Sequence, residues 1–207
     1  MGVLQSIYQY KLVAIIRGVP SEHILDVANA LHQGGIRILE ITVDTTNVLD
    51  AIEQVRKEFD QELIVGAGTV LDAETARAAI MAGSQFIFSP TVDIDTIKLT
   101  KRYGIVSIPG AMTPTEILTA YENGADLIKI FPATALGPTY IKDIKGPLPH
   151  IPLMPTGGVN LDNISAYFQA GAVAAGLGSS LVKKQQTYSK EDLKALTHRA
   201  EQFMAKV

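Results

Sequence analysis

The sequence predicts an α/β fold of the (β/α)8 TIM-barrel type, with a helix flanking the barrel at the N-terminus. Short β-branched apolar runs alternate with amphipathic stretches along all 207 residues. There are eight such runs, spaced by about 20 to 25 residues, which is the spacing of βαβ units. Such units are right-handed and form a parallel sheet, and eight of them in a chain of this length close into a barrel. A doubly wound open sheet is the alternative that this pattern leaves open.

Each predicted strand is a short apolar run that ends near glycine, proline or a polar residue. In order they are VAIIRG (13–18), ILEITV (38–43), LIVGAGT (63–69), FIFSP (86–90), IVSIPG (105–110), LIKIFP (127–132), PLMPTGG (152–158) and AVAAGLGSS (172–180). The segments between them include SEHILDVANALHQGG, DAETARAAIMAG and TPTEILTAYENG. These three open on Ser, Asp or Thr and close on Gly, as helices do. The first dozen residues and segment 188–207 are predicted to form flanking helices.

Composition narrows the function classes. The chain is 47% hydrophobic and 19% charged, which indicates a compact globular protein, and no linker divides it, so residues 1–207 are predicted to form one domain. A net charge of -3 without a basic cluster argues against a nucleic-acid partner. No apolar run reaches the roughly 18 residues of a membrane helix, and no signal peptide is recognised, so we expect a cytoplasmic protein.

Metal chemistry is not expected. The chain has no cysteine, which excludes disulfides, thiolate metal ligands and cysteine nucleophiles. Its four histidines fall in predicted helices or loops and form no ligand cluster. We therefore predict neither a metal nor an organic cofactor.

Polar residues mark the carboxyl ends of the predicted strands. Arg17, Glu40, Thr69, Lys129 and Thr156 all occupy such positions. In a parallel barrel this face carries the active site, and side chains alternate inward and outward along each strand. These five side chains are therefore predicted to converge at one mouth.

Lys129 is the most informative of these residues, because its neighbours on both sides are apolar. Apolar surroundings and a nearby cation such as Arg17 would lower the pKa of its amine, as a Schiff-base lysine requires, whereas a charged Glu40 would raise it. Two structural readings stay open: Lys129 reaches water from a strand end, or Glu40 is simply its ion-pair partner.

Two glycine-rich loops suggest an anion site. MPTGGVNLDNI (154–164) and GLGSS (176–180) follow the last two predicted strands. Loops after strands 7 and 8 of a barrel frequently bind phosphate through free backbone N–H groups. The alternative is that these glycines only make tight turns.

Eight segments together resemble one known family. They are GGIRILEITVDTT, IVGAGTVLDAE, FIFSPTVD, IPGAMTPTEI, LIKIFPA, GPTYIKDIKGPLP, PTGGVNLDNI and GLGSSLV. In this order, from about Lys11 to Val182, they resemble the 2-keto-3-deoxy-6-phosphogluconate aldolases, also called 4-hydroxy-2-oxoglutarate aldolases. The resemblance implies a class I aldolase on a (β/α)8 barrel, a homotrimer, that cleaves a phosphorylated keto-deoxy sugar acid to pyruvate and glyceraldehyde 3-phosphate. The implied partner is thus a small keto acid phosphate.

The resemblance also implies roles for individual residues. Lys129 matches the Schiff-base lysine and Glu40 the general acid/base. Residues around the pyruvyl group are matched by Thr69, Pro90 and Phe131. The loop over the substrate is matched by Thr156, Gly157 and Gly158, and the phosphate site by Ser179 with the backbone of Gly158 and Gly178.

One position departs from the family pattern. Many members carry an arginine two positions after the threonine of LEIT, where it grips the substrate carboxylate, and this chain has Asp44 there. We expect Arg17 to supply the cation instead. Two other functions stay open from the residues alone: a phosphate-binding barrel isomerase or epimerase, and a non-catalytic sugar-phosphate-binding protein.

Overall fold

The computed structural model describes residues 2–207 and confirms the predicted TIM barrel. All eight predicted strands form, and one of them is divided in two. The strands are β1 Leu12–Ile16, β2 Ile38–Thr42, β3 Ile64–Gly68, β4 Phe86–Phe88, β5 Val106–Ile108, β6 Gly110–Ala111, β7 Ile128–Ile130, β8 Leu153–Pro155 and β9 Ala175–Leu177. Most of them end before the glycine, proline or polar residues of the predicted runs, which instead begin the loops at the mouth.

Helices follow the strands as the pattern predicts. They are α1 Val3–Tyr10, α2 Ile24–Gln33, α3 Val48–Phe59, α4 Ala73–Met81, α5 Ile94–Arg102, α6 Pro114–Glu122, α7 Gly137–Lys145, α8 Ile164–Gln169 and α9 Lys190–Met204. Two of the three predicted caps form: Asp72 caps α4, and Thr113 and Glu116 make a reciprocal capping box at α6. The third is wrong, because Ser21 lies in a short 3-10 turn before α2 and caps neither that turn nor the helix. No helix within residues 2–207 has the length and apolar character needed to cross a membrane.

The parallel strands curl into one barrel. Six of them are hydrogen-bonded in the order β5-β4-β3-β2-β1-β9, and three in the order β6-β7-β8. Strands β5 and β6 are two parts of one chain segment interrupted at Pro109, which has no N–H to donate. A parallel bridge between Thr156 and Gly176 joins the end of β8 to β9. These two junctions complete the ring of eight strands.

Two separate apolar clusters result from the alternation of side chains. The larger cluster lies between the strands and the surrounding helices. The smaller fills the barrel interior, where Val13, Ile38 and Phe86 from three strands and Leu127, just before β7, belong to one cluster with Ile7 of α1. Because these strand residues lie near the amino ends, α1 closes the bottom of the barrel and leaves the opposite end open to a ligand.

Candidate active site

A cavity of about 450 Å³ opens at the carboxyl ends of the strands. Eight of the eleven residues singled out in the sequence line it: Arg17, Lys129, Phe131, Thr156, Gly157, Gly158, Gly178 and Ser179. Glu40, Thr69 and Pro90 lie around this cavity rather than in its wall. The predicted convergence at one mouth is therefore seen for most of the set.

Lys129 sits at the centre of β7 with only 3% of its surface exposed. Its Nζ lies 4.3 Å from the ring centroid of Phe88 and 4.4 Å from that of Phe131. Burial lowers the pKa of Lys129, and the nearby Arg17 lowers it further, while Glu40 acts in the opposite direction. The sequence left the sign of this shift open, and in the structure desolvation is the largest cause. The amine is thereby brought closer to its nucleophilic, neutral form.

Glu40 lies beneath the cavity, inside the barrel. It is 1% exposed, and burial raises the pKa of its carboxyl to about 7, with Lys129 and Arg17 opposing this rise and Asp44 adding to it. Oε2 has no hydrogen-bond partner within residues 2–207. An unpartnered buried carboxyl oxygen costs folding free energy, and such atoms in native proteins call for a specific reason. This unpartnered oxygen makes Glu40 a candidate functional group.

Glu40 and Lys129 are close enough to perturb each other's pKa but are not an ion pair. The three salt bridges formed by the described residues include neither of them. Glu40 is held by packing instead, because its carboxyl group lies directly against Gly68 on the neighbouring strand β3. The simple ion-pair reading of these two residues is therefore wrong.

Arg17 follows β1 and reaches across the mouth to β3. Its guanidinium donates a hydrogen bond of 2.9 Å to Oγ1 of Thr69, and the side chain remains exposed on the cavity side. Thr69 has φ +60°, a left-handed conformation that is rare for a β-branched residue. Strained backbone of this kind is concentrated at functional sites. Thr69 thus orients the one arginine of the cavity wall.

Pro90 lies on the far side of Phe131. It lines a neighbouring cavity of about 440 Å³ together with Gly110, Ala111, Met112 and Phe131. Phe131 is the wall between the two cavities, since it lines both.

The two glycine-rich loops face the main cavity from β8 and β9. The backbone N–H groups of Gly158, Ser179 and Ser180 donate to no acceptor within the described chain. The first loop is held by Asn163, whose side-chain amide donates to the Gly158 carbonyl oxygen at 2.9 Å. Free N–H groups on a fixed loop are suited to an oxyanion.

Sequence reasoning missed several residues of the site. Phe88 supplies the second ring beside Lys129, and the cavity wall also contains Ile15, Val159, Asn160, Ser180, Val182 and Lys184. Phe88 lies two residues after Phe86 on the same inward face of β4, so strand periodicity could have indicated it. Lys184 lies beyond the last predicted strand, where no pattern pointed to it. Within residues 2–207, no group of three or more potential metal ligands is present.

Comparison with known proteins agrees with this geometry. The KDPG and KHG aldolase family matches residues 3–198, nearly the whole chain. The chain belongs to this family. As a KDPG/KHG aldolase it is a lyase, and the family resemblance noted in the sequence is confirmed.

Relatives named for two sugar acids are about equally similar to the chain. The 2-dehydro-3-deoxy-6-phosphogalactonate aldolase of Escherichia coli (strain K12) is 36% identical over 177 residues, 85% of this chain and 86% of that protein. The 2-dehydro-3-deoxy-phosphogluconate aldolase of Pseudomonas aeruginosa is 37% identical over 162 residues, 78% and 73% of the two chains. Identity alone therefore does not choose between the two names.

A solved structure extends the comparison to a trapped reaction state. The KDPG aldolase of Legionella pneumophila, with pyruvate captured at low pH as a covalent carbinolamine intermediate, superposes with a TM-score of 0.82 at 27% identity. The match covers 98% of this aldolase and 95% of that chain.

Proposed function

We propose that this aldolase cleaves 2-keto-3-deoxy-6-phosphogluconate to pyruvate and glyceraldehyde 3-phosphate through a Schiff base on Lys129, and that it also accepts 4-hydroxy-2-oxoglutarate, giving pyruvate and glyoxylate. The observation that carries the proposal is Lys129 itself, an amine in the cavity wall with a lowered pKa beside a buried carboxyl group. The covalent carbinolamine of the Legionella pneumophila relative supports the same chemistry.

The first half of the proposed reaction forms the imine. Neutral Nζ of Lys129 adds to the C2 ketone and gives a carbinolamine, which takes up a proton and expels water. The resulting iminium ion withdraws electrons from C3, so that the bond from C3 to C4 becomes breakable. Both rings that flank Nζ, Phe88 and Phe131, stabilise the positive charge of this intermediate.

The second half breaks the carbon–carbon bond. Glu40, directly or through a water, takes the proton of the C4 hydroxyl, and the electrons of the C3–C4 bond move to the iminium nitrogen. Glyceraldehyde 3-phosphate leaves and an enamine remains. A proton returns to C3, and water hydrolyses the imine to pyruvate and free Lys129. A carboxyl with a pKa of about 7 suits both proton transfers, since it exchanges protons readily near neutral pH.

The two charged groups of the substrate are proposed to bind at opposite ends of the cavity. Arg17, oriented by Thr69, is proposed to bind the C1 carboxylate. The loops carrying Thr156, Gly157, Gly158, Gly178 and Ser179 are proposed to enclose the distal phosphate. Oγ1 of Thr156 is buried without a protein partner, which suits a contact to bound substrate.

Reductive trapping tests the proposed chemistry. The protein is incubated with pyruvate and borohydride and then digested, and the masses of its peptides are measured by mass spectrometry. A carboxyethyl group on Lys129 is expected, and its absence would contradict the imine mechanism. An isomerase, an epimerase or a binding protein that uses Lys129 only as a charge would gain no such adduct.

Substrate choice is tested separately. Gluconate and galactonate skeletons differ in configuration at C4, so the two phosphorylated sugar acids are offered in parallel assays with pyruvate release as the readout. A higher kcat/KM for the gluconate form is expected. Preference for the galactonate form would leave the mechanism intact and correct the substrate.

We also propose that the aldolase is a homotrimer. Large apolar side chains are exposed after three neighbouring strands: Leu71 after β3, Ile94 after β4 and Met112 after β6, with 56%, 38% and 39% of their surfaces accessible. Ile94 and Met112 also line the cavity beside Pro90. Exposed apolar patches mark interfaces, and the pair that shares this cavity is the basis of the proposal. Light scattering after size exclusion measures the mass, and a monomer would contradict the proposal.

A further inference from the structure

Lys184 is a cation in the cavity wall that the proposed reaction has not used. It lines the same cavity as Gly158 and Ser179, and its side chain lies over Gly18 at the end of β1. A Cβ at position 18 would stand 2.8 Å from Cε and 2.9 Å from Nζ of Lys184. Gly18 therefore leaves open the space that the lysine occupies. None of the salt bridges formed by residues 2–207 involves Lys184.

The backbone that carries Lys184 is fixed from both sides. Leu181 and Val182, which precede it, are buried, and the Leu181 carbonyl oxygen accepts a 3.0 Å hydrogen bond from Nε of Arg199. The hydroxyl of Tyr188 donates a 2.7 Å hydrogen bond to the Lys183 carbonyl oxygen. Tyr188 is itself buried. The segment is thus a braced loop, and Lys184 is placed at the cavity by its backbone.

The preceding residue provides a contrast. Lys183 is also an exposed lysine, but it does not line the cavity. The two residues are both positively charged, adjacent in the sequence and exposed. They differ in one respect relevant to a ligand, which is the direction of the side chain relative to the glycine loops.

We propose that Lys184 is the specificity-determining cation for the distal phosphate, and that it makes this aldolase favour phosphorylated keto acids over unphosphorylated ones. This rests on the proposed function. Free N–H groups of Gly158, Ser179 and Ser180 can hold a phosphate by hydrogen bonds, but they carry no net charge. Lys184 adds the compensating charge on the same side of the cavity, as a point charge with three donors.

Lys184 and Arg17 approach the cavity from different sides, so they can bind two different anionic groups. Arg17 is directed towards β3 by its bond to Thr69, whereas Lys184 arrives from the loop after β9 on the other side of β1. A substrate with a carboxylate at one end and a phosphate at the other then meets one cation at each end. An unphosphorylated keto acid meets only the first.

The experiment compares Lys184→Gln with the matched control Lys183→Gln. Binding of inorganic phosphate is measured by calorimetry, and kcat/KM is measured for 2-keto-3-deoxy-6-phosphogluconate and for 4-hydroxy-2-oxoglutarate. Lys184→Gln is expected to weaken phosphate binding and to lower kcat/KM for the phosphorylated substrate by roughly 3- to 30-fold. This is the usual effect of losing a hydrogen bond to a charged partner, reduced because the side chain is exposed to solvent. The unphosphorylated substrate and the Lys183→Gln protein should change less than about 2-fold, the range of surface substitutions.

The outcomes separate this inference from the proposed function. Equal changes for both substrates, or the same loss in Lys183→Gln, would overturn the role of Lys184 while pyruvate trapping on Lys129 stays intact. Failure of the unmodified protein to trap pyruvate would instead overturn the proposed function. Tyr188→Phe adds a positioning test, since loss of its bond to Lys183 should weaken phosphate binding in the native Lys184 protein but not in Lys184→Gln.

Discussion

The carboxyl group of Glu40 lies against the Cα of Gly68, on the adjacent strand of the barrel. Residues 40 and 66 are paired in register, and Gly68 is one inward-facing position further along β3. A Cβ at Gly68 would overlap Oε1 of Glu40, so the glycine makes room for the carboxyl group. Gly66, one inward position earlier, makes room for the ring of Phe86 in the same way. The GAG sequence of β3 thus leaves space inside the barrel for residues of its neighbours.

Gly68→Ala is expected to displace Glu40 and to impair cleavage more than imine formation. Overpacking a filled core costs about 1–3 kcal/mol of stability. Chemical denaturation measures that loss, and borohydride trapping measures imine formation separately. The double variant Glu40→Ala/Gly68→Ala is the control, since removing the carboxyl group should restore most of the stability that Gly68→Ala loses. Additive losses in the double variant would show that the glycine acts elsewhere.

Glu40→Gln should still trap pyruvate but cleave about 10²–10⁴-fold more slowly, the usual effect of losing a general acid/base. Trapping lost with cleavage retained would contradict the role assigned to Glu40.

The pH dependence gives a second measurement on the same residue. Because the pKa of Glu40 is raised to about 7, its base form is lost below that pH, and kcat/KM should fall as pH decreases through 7. Using 4-hydroxy-2-oxoglutarate removes the ionisation of the phosphate from the profile. The free energy of unfolding should have the opposite trend. Because the pKa of Glu40 is higher in the folded protein, the protein should lose stability as pH rises from the unfolded pKa of 4.5 to the folded pKa of about 7. Glu40→Gln should lack that decline, and a flat wild-type profile in this window would contradict the assignment.

Lys129→Met should abolish cleavage and trapping without unfolding the protein. Burial lowers the pKa of Lys129. A charged Lys129 therefore destabilises the folded protein, and this effect is complete when pH lies below the folded pKa. Methionine, similar in length and apolar, removes that cost, and the variant should be at least as stable as the wild type at neutral pH. Its advantage should shrink as pH rises towards the unfolded lysine pKa of 10.5. Thermal unfolding across this range checks the trend, and residual turnover in the folded variant would contradict the imine mechanism.

Barrel and mouth could be predicted from the sequence because both depend on local patterns. Strand-length apolar runs at regular spacing determine the ring, and the carboxyl ends of parallel strands necessarily share a face. Lys129, Glu40 and Arg17 were found in this way.

The features that escaped prediction depend on contacts between elements. The sequence did not connect Gly68 with Glu40, because their contact follows from the register of β2 with β3. Lys184 was missed because its direction is set by Tyr188 and Arg199, which belong to the C-terminal part of the chain. The sign of the Lys129 pKa shift likewise required the burial of that residue to be known.

Arg17 and Asp44 provide the sharpest test of substrate orientation. The family resemblance implies an arginine at position 44, but this chain has Asp44, which would repel a carboxylate. The arginine that lines the cavity is Arg17. Its guanidinium can grip a carboxylate with two parallel hydrogen bonds, which a lysine cannot reproduce. Losing a hydrogen bond to a charged partner costs about 1.5–3 kcal/mol, roughly 10- to 150-fold. Arg17→Lys should therefore weaken pyruvate trapping and cleavage in parallel while the fold stays intact.

Asp44→Asn is the matched control, with a different expected effect. The negative charge of Asp44 raises the pKa of Glu40, so its removal should lower that pKa and move the acid limb of the kcat/KM profile to lower pH. Pyruvate affinity, measured by borohydride trapping across pyruvate concentrations, should change little. Because Arg17→Lys keeps the positive charge, it should weaken that affinity mainly through geometry. An unchanged affinity in Arg17→Lys together with a large change in Asp44→Asn would place the substrate carboxylate on the Asp44 side of the barrel instead.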